Sequence, residues 1–533
     1  MRRWNGWGDD GTELPLKPAA RQFLAGLIGE GRPLPDASLA EVIARVPPSR
    51  LPEHRLIVGD REVRVRHARG QSLPDWLAMR SGDFGQFPDG VAFPEDAAQV
   101  RELLEFALHH DVAVIPYGGG TSVVGHITPQ AGARPVLTIS LAAMSGLRHL
   151  DPHSQIATFG AGTPGPQVES QLKAAGYTLG HFPQSWELAT IGGWVASRSS
   201  GQQSLRYGRI EQLFAGGHIE TPVGSLEIPT VPASSAGPDI REMILGSEGR
   251  MGILTDVKVR VTPLPEQEDF HVAFFPDWDS ATAALRALAQ QKIPLSMMRL
   301  GNARETWSQL RLAGHAGAIA LLEKYLGLRG VRTEKCMFTF GLTGSRAFCK
   351  AAMKLSRPII RAHGGVDTGT LLGRKWQESR FLAPYLRHAL WENGYAVDTV
   401  ETAVDWNRVN PTLAAMESAL SHALDDEGEK VLAYTHLSHL YPQGSSVYTT
   451  CVFRCADGYA ATLARWQKLK GAASRQIVAQ GGTISHQHGV GADHAPYLAA
   501  EKGALGIAAI GSLCRQFDPS GIMNPGKLIQ DRT

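Results

Sequence analysis

Four side chains in the second half of the chain are of types that move protons or hold anions. Tyr448 lies in the apolar run Val447–Phe453. Its phenol, with an ordinary pKa near 10, works as an acid or base only where its surroundings move that value. A strand core would carry the same residue, since tyrosine favours strands. His486 and His488 flank Gln487 in a loop ending Gly489-Val490-Gly491. An extended turn there would put both imidazoles on one side, to orient Tyr448, bind an anion or shuttle protons. Arg387 stands in Tyr385-Leu386-Arg387-His388, in a helical pattern. Its planar fork suits a phosphate or carboxylate, although a solvated helix arginine reads the same way.

Three glycine clusters in the first half could hold a ligand for these groups to act on. The first is Pro116-Tyr117-Gly118-Gly119-Gly120-Thr121-Ser122-Val123, directly after the apolar run Val112–Ile115. Glycines let the backbone approach a ligand, and successive N–H groups in such a turn form an anion nest, so a pyrophosphate is the natural guest. No lysine follows, which excludes the nucleotide-hydrolase phosphate loop. Val123 stands where a dinucleotide fingerprint needs its third glycine. The second cluster runs from Pro183 and Ser185 to Thr190-Ile191-Gly192-Gly193-Trp194. The third runs from Gly237 and Asp239 through Gly246-Ser247-Glu248-Gly249 to Gly252-Ile253. Each alone could be a turn; together they indicate one extended ligand lined by backbone. His181 and Thr190 read, unaided, as ordinary turn residues.

The elements that must position these groups are legible in outline. Helical spacing marks Arg21–Ile28, Leu39–Val46, Pro94–His109, Gln167–Ala175, Ser280–Gln290, Gly344–Ala362 and Thr412–Leu424. Strands are expected at Val112–Ile115, Val136–Leu141, Ile156–Phe159, Val257–Val261, Cys336–Phe340, Val431–Tyr434 and Val447–Phe453. This is an α+β pattern. It divides into a helical leader over 1–89, a ligand-binding block over 90–265, a second α+β block over 266–475, and a tail over 476–533.

Bulk properties narrow the function. With 53 basic and 51 acidic residues the net charge is +2, which argues against a nucleic-acid partner. Hydrophobic residues at 43% and charged residues at 20% are ordinary for a soluble globular enzyme. Five cysteines, an odd number with no CxxC pair, indicate neither a zinc site nor a disulfide framework, and fit a reducing cytoplasm. The first residues, Met1-Arg2-Arg3-Trp4-Asn5-Gly6-Trp7-Gly8, hold no apolar signal segment, and no apolar run approaches membrane-spanning length.

The residues taken together resemble the FAD-linked oxidase superfamily with the vanillyl-alcohol-oxidase-type FAD fold, and within it the alkyldihydroxyacetonephosphate synthase (alkylglycerone-phosphate synthase) family. The matching segments are Trp4–Gly8, Gly118–Val123, Gly180-His181 through Trp194, Gly237–Ile253, Met298-Arg299-Leu300, Glu401-Thr402 with Trp406, Val447-Tyr448 and Ser485–Gly491. The resemblance implies a two-part FAD-binding domain, 90–265 plus the tail, with an inserted α+β cap domain. It implies FAD bound by Pro116, Gly118, Gly119, Gly120, Thr121, Ser122, Val123, Pro183, Ser185, Thr190, Gly192, Gly193, Gly237, Asp239, Gly246, Glu248, Gly249, Gly252 and Ile253. The bond to FAD is expected to be noncovalent. Thr121-Ser122 stand where some relatives attach the flavin to a histidine, and His126 lies four residues beyond Ser122.

The reaction implied exchanges the acyl group of acyl-dihydroxyacetone phosphate for a fatty alcohol, making an ether lipid with no net redox change. Tyr448 would move the proton, Arg387 hold the phosphate, and His486 and His488 tune both. His181 joins the substrate set, and Arg299 matches a second family arginine. The implied partners are a small amphiphilic or phosphorylated substrate, a membrane surface touched peripherally, and a second copy in a homodimer. Gln487 departs from the synthase pattern of three consecutive histidines. Asn524-Pro525-Gly526-Lys527-Leu528 reads like the ordinary oxidases. The alternative is therefore an FAD-dependent dehydrogenase or oxidase of a 2-hydroxy acid or related alcohol. Dehydrogenases of that kind place a metal-binding glutamate where Gln487 stands. His436 and His439 would point to opposite faces of a strand, so no metal site is expected. A third reading is an FAD-binding protein without catalysis.

Overall fold

In the computed structural model, which describes residues 1–313 and 316–530, the strands of the second block pair into one seven-stranded sheet. Its order is Val366–Asp367, Gln267–Phe275, Cys336–Gly344, Met297–Gly301, Leu432–Leu437, Gly444–Arg454, Tyr395–Asp405. Every pairing is antiparallel. The helices Arg346–Ala362, Trp406–His422 and Tyr459–Ala479 pack against it. Side chains at every second position project to one face of a strand. Met297 with Arg299, Tyr434 with His436, Val397 with Thr399, and Tyr448 with Thr450 all follow that period and line a single cavity.

The first block builds two smaller sheets and a two-stranded pairing of Tyr177–Thr178 with Thr262–Pro263. Gly90–Ala92, Val136–Ser140 and Ala113–Tyr117 run parallel. Leu147–Asp151, Ile156–Gly160, Ile253–Arg260, Phe214–Thr221 and Gly224–Ile228 form an antiparallel five-stranded sheet. The strand Ala113–Tyr117 delivers the first glycine cluster from its C-terminal end. The tail returns to that strand: Val114 N–H donates to Ile522, and Asn524 N–H donates to Val114, both at 2.8 Å.

The leader is helical at Pro18–Ile28, Leu39–Arg45, Arg61–Arg66 and Leu73–Ser81, but also contributes the strand Ile57–Val58 to the edge of the parallel sheet. Leu24 and Ile28 pack on Tyr395, Leu432 and Val452 of the large sheet.

Boundaries moved where caps decide them. The helix expected from Pro94 starts at Ala97, because the Asp96 carboxylate accepts the Gln99 N–H at 2.8 Å. The helix expected from Thr412 starts at Trp406 and carries Pro411 within it. The helix Tyr459–Ala479 crosses the junction expected at 475. The last three residues of the tail, 531–533, lie outside the described residues. All five cysteines are buried. Among the described residues no helix is long and apolar enough to cross a membrane.

Candidate functional site

A cavity of about 990 Å³ runs between the glycine clusters and the face of the seven-stranded sheet, at the upper end of ligand-site volumes (about 300–1,000 Å³). On one side it is walled by Pro116, Gly118 to Val123, Pro183, Ser185, Thr190, Gly192, Gly193, Glu248, Gly249, Gly252 and Ile253. The loop after Tyr117 meets the test for an anion cradle. The N–H groups of Gly118 through Ser122 have no hydrogen-bond partner among the described residues. A Cβ on Gly119 would run into the Leu188 carbonyl, and one on Gly118 into Thr190 Oγ1, so only glycine brings this backbone so close to the second cluster. Five free donors in a glycine-bared turn fit the diphosphate of FAD.

Glu248 ties this side to the tail. At φ 54°, it turns its carboxylate to accept the N–H groups of Val490 and Gly491, the latter at 2.8 Å. Its carbonyl takes Asn524 Nδ2 at 2.7 Å. His126 lies between the first loop and Glu248. Its Nδ1 lies 2.9 Å from Ser122 Oγ and its Nε2 3.1 Å from the Glu248 carboxylate.

Three members of the expected cofactor set do not line the cavity. Gly246 shapes the approach: its φ of 76° and its N–H bond to Val195 turn the chain toward Glu248. Gly237 and Asp239 sit on an exposed segment, where the Asp239 carboxylate accepts the Arg241 N–H at 2.9 Å and pairs with its guanidinium. Asp239 is a helix cap; that local role satisfies it.

On the opposite wall, Tyr448 lies in register with Glu401 on one neighbouring strand and with His436 on the other. Its hydroxyl donates to Thr399 Oγ1 at 3.1 Å. Burial, and then the Glu401 charge, push the phenol pKa up, so Tyr448 is a proton donor as it stands. Glu401 holds the histidine loop: Oε1 accepts the N–H of Gln487 at 2.9 Å, the N–H of His488 at 3.0 Å, and lies 3.1 Å from His488 Nδ1. His488 thereby faces the cavity, its ring 6.0 Å from that of Tyr448.

The expectation that His486 shares this side is corrected. His486 is buried behind the wall, with Nε2 2.8 Å from Arg209 Nη1 and 2.7 Å from the Tyr441 hydroxyl. Glu401's grip on two successive N–H groups bends the loop, so residues 486 and 488 diverge. Burial first, then the His439 and Arg209 charges, hold His486 well below its ordinary pKa and neutral. His181, expected at the substrate, is also walled off. It is fully buried, with Nε2 3.2 Å from Ser199 Oγ and its ring 4.7 Å from Trp194. Burial, then Arg209, lowers its pKa to about 3.

Arg387 reaches the cavity from the helix Ala383–Glu392. Its guanidinium lies 4.5 Å over the Trp76 ring, with Arg80 on the same ring at 4.7 Å. Nη1 donates to the Gln71 carbonyl at 2.6 Å, while Nε and Nη2, both sealed from solvent, have no partner. Burial pulls the pKa down to about 10, so the group stays charged at neutral pH. A desolvated cation with two free N–H groups is costly unless an anion meets it.

Sequence reasoning missed Glu305. Its buried carboxylate joins Arg299 and His436: Arg299 Nη2 lies 2.6 Å and His436 Nδ1 3.1 Å from Oε1. Burial would raise the Glu305 pKa, but Arg299 and His436 outweigh it and bring it to about 2. The pattern of the helix Ala303–Ala313 gave no signal that one of its polar residues turns inward. His436 and His439 both line the cavity, contrary to the opposed faces expected, because the strand ends at Leu437 before His439 is reached. His439 Nε2 donates to the Gly201 carbonyl at 3.2 Å.

Comparison with known proteins matches residues 88–228 to the FAD binding domain family and residues 264–528 to the family of FAD linked oxidases, C-terminal domain. The alkyldihydroxyacetonephosphate synthase of Trypanosoma brucei brucei is 29% identical, over 99% of this chain and 92% of that protein. The one from Dictyostelium discoideum is 29% identical, over 99% and 93%. A mitochondrial D-lactate dehydrogenase [cytochrome] of Arabidopsis thaliana is 25% identical over 83% of this chain and 73% of that protein. A solved structure of an alkyldihydroxyacetonephosphate synthase superposes with a TM-score of 0.85 at 26% identity, covering 99% of each chain.

Proposed function

The chain belongs to the FAD-linked oxidase superfamily of flavoproteins, and from that premise we propose that it is an FAD-dependent alkyldihydroxyacetonephosphate synthase-like enzyme. It exchanges the acyl group of acyl-dihydroxyacetone phosphate for a fatty alcohol. The observation that carries this reading is Arg387. Its desolvated guanidinium lies at the cavity that also holds the glycine-bared loop, and two of its buried N–H groups have no partner. A phosphorylated substrate supplies the missing anion, and the fork binds two of its oxygens.

FAD, held noncovalently by the Gly118–Ser122 amides and the Glu248–Ile253 turn, supplies an electron-accepting ring in the cavity. The protein's own groups do the rest. Arg387 fixes the phosphate and so the position of the dihydroxyacetone carbons. Tyr448 donates a proton to an oxygen of the bound substrate. Glu401 holds the loop of Gln487 and His488 at the cavity wall. Trp7 and Leu14 from the leader cover the cavity and keep water out. Leu382 and Leu386, 37% and 45% exposed at the same cavity, support contact with an amphiphile surface. The homodimer rests on the family alone.

The test is anaerobic. The purified yellow protein is given acyl-dihydroxyacetone phosphate and a long primary alcohol, with absorbance and lipid products followed together. Ether phosphate and free fatty acid without lasting bleaching are expected. Bleaching by a 2-hydroxy acid, with no ether formed, overturns the reading in favour of a dehydrogenase.

A further inference from the structure

We propose that Trp76, in the leader, is the positioning residue that fixes Arg387 for the phosphate of the substrate, so that the leader carries the selectivity for a phosphorylated substrate. The inference rests on the synthase reading above and adds a residue to it. The matched family segments begin at residues 88 and 264, so nearly all of the leader lies outside them. Yet the leader lines the cavity with Trp7, Leu14 and Gln71. It also supplies both groups that hold Arg387.

Among the described residues three arginines line the cavity. Arg299 pairs with Glu305, and Arg380 donates to Gln203 Oε1 at 3.2 Å. Of the three, Arg387 alone keeps sealed N–H groups without a partner. No described carboxylate forms an ion pair with it; Asp398 and Asp75 bear on it only through space. A carboxylate partner would fill the fork and cancel the charge. Arg387 is held instead by the Gln71 carbonyl, 2.6 Å from Nη1, and by the Trp76 ring, 4.5 Å from the guanidinium carbon. The negative face of an indole attracts a cation, more strongly where water is excluded. It leaves the net charge whole for an incoming anion.

Arg80 gives the contrast on the same ring. It lies 4.7 Å from the Trp76 centroid, but it pairs with Asp36 and does not line the cavity. Its charge is answered inside the protein, and that of Arg387 is not. Trp76 itself cannot turn aside. It is fully buried in the helix Leu73–Ser81, whose start is capped by Ser72 Oγ, accepting the Asp75 N–H at 3.2 Å. Just before that helix, the Gln71 N–H donates to the Ser122 carbonyl at 2.6 Å. Residues 71–76 therefore grip the glycine loop and Arg387 together, and set the spacing between cofactor and phosphate. The Gln71 contacts use main chain, which no side-chain replacement removes. The Trp76 contact is the one a substitution can test.

The experiment measures kcat, KM for acyl-dihydroxyacetone phosphate and KM for the fatty alcohol on the FAD-loaded protein. In Trp76→Leu, KM for the phosphorylated substrate is expected to rise about 3- to 30-fold, the range of a desolvated cation–π contact, while KM for the alcohol and kcat stay within about twofold. Trp76→Phe keeps an aromatic face and is expected to show a smaller rise of the same kind. It gives the second reading if Trp76→Leu does not fold. Leu77→Ala, at the next position of the same helix and also buried, loses core packing without removing the ring beside Arg387. It is expected to leave both KM values in place. An unchanged KM in the Trp76 variants, equal rises for both substrates, or the same rise in Leu77→Ala overturns the assignment while leaving the synthase reading intact. A parent protein that makes no ether overturns the synthase reading itself.

Discussion

Arg387 and Glu401 act at the scale of single side chains, and both act by being over-determined on one side. Arg387 is pinned by Trp76 and Gln71, leaving two donors for a ligand. Arg387→Lys keeps the charge and loses the fork. It should raise KM for the phosphorylated substrate by about 10- to 100-fold, the cost of one to two charge-assisted hydrogen bonds, with kcat little changed. Steady-state kinetics at varied substrate read this directly. Glu401 accepts two backbone N–H groups and lies against His488 Nδ1. Glu401→Ala strands those buried donors and should cost about 3 kcal/mol of stability along with most of kcat. Glu401→Gln keeps an acceptor and should cost less stability. Thermal melting and turnover, measured on both variants, separate the two effects. None of this was legible in the sequence. Glu401 stood out only as part of a resembling motif, and its partner Tyr448 is 47 positions away on a strand whose register no local pattern gives.

At the scale of elements, the strand Ala113–Tyr117 and the loop it feeds show what a sequence does make plain. An apolar strand running into three glycines predicts a backbone anion site, and five unpartnered N–H groups are found there. Gly119→Ala puts a methyl against the Leu188 carbonyl, which is backbone and cannot turn aside. The loop must shift, and flavin affinity should fall at least about tenfold, or 1.4 kcal/mol. Flavin absorbance retained after gel filtration measures it, with Gly132→Ala, a glycine in open space, as the unaffected control. The third cluster shows the limit of the same reasoning. Glu248, Gly249 and Gly252 reach the cavity, while Asp239, a few residues earlier, caps an exposed helix start and Gly237 lies in the segment before it. Glycine and aspartate serve turns and ligands alike, and only tertiary placement separates the two. The histidines diverged for a related reason: a carboxylate from another strand bends the loop between them.

Across the whole molecule, the tail joins the two halves of the site. Glu248 anchors residues 490 and 491, and Asn524 reaches back to Glu248 and His126. The α+β class and the strands that carry the site were legible, because hydrophobic period and glycine punctuation are local properties. How the tail returns was legible only through resemblance. Asp493 lies in this junction, with Oδ2 sealed and unpartnered. Burial raises its pKa from 3.8 to about 6. Between those values the folded chain binds more protons than the unfolded one, so stability falls as pH rises through the window, and the loss is complete above pH 6. Asp493→Asn should therefore melt higher than the parent at neutral pH, by about 1–2 kcal/mol of stability, with the difference vanishing near pH 4.

The origin of the oxygen in the new bond separates exchange from oxidation most directly. Purified protein given unlabelled acyl-dihydroxyacetone phosphate and a fatty alcohol carrying heavy oxygen should yield an ether lipid that retains the label, as mass spectrometry of the product would show. An ether without the label, or an oxidised ketone or aldehyde in its place, would contradict an exchange in which the alcohol oxygen displaces the fatty acid at this site.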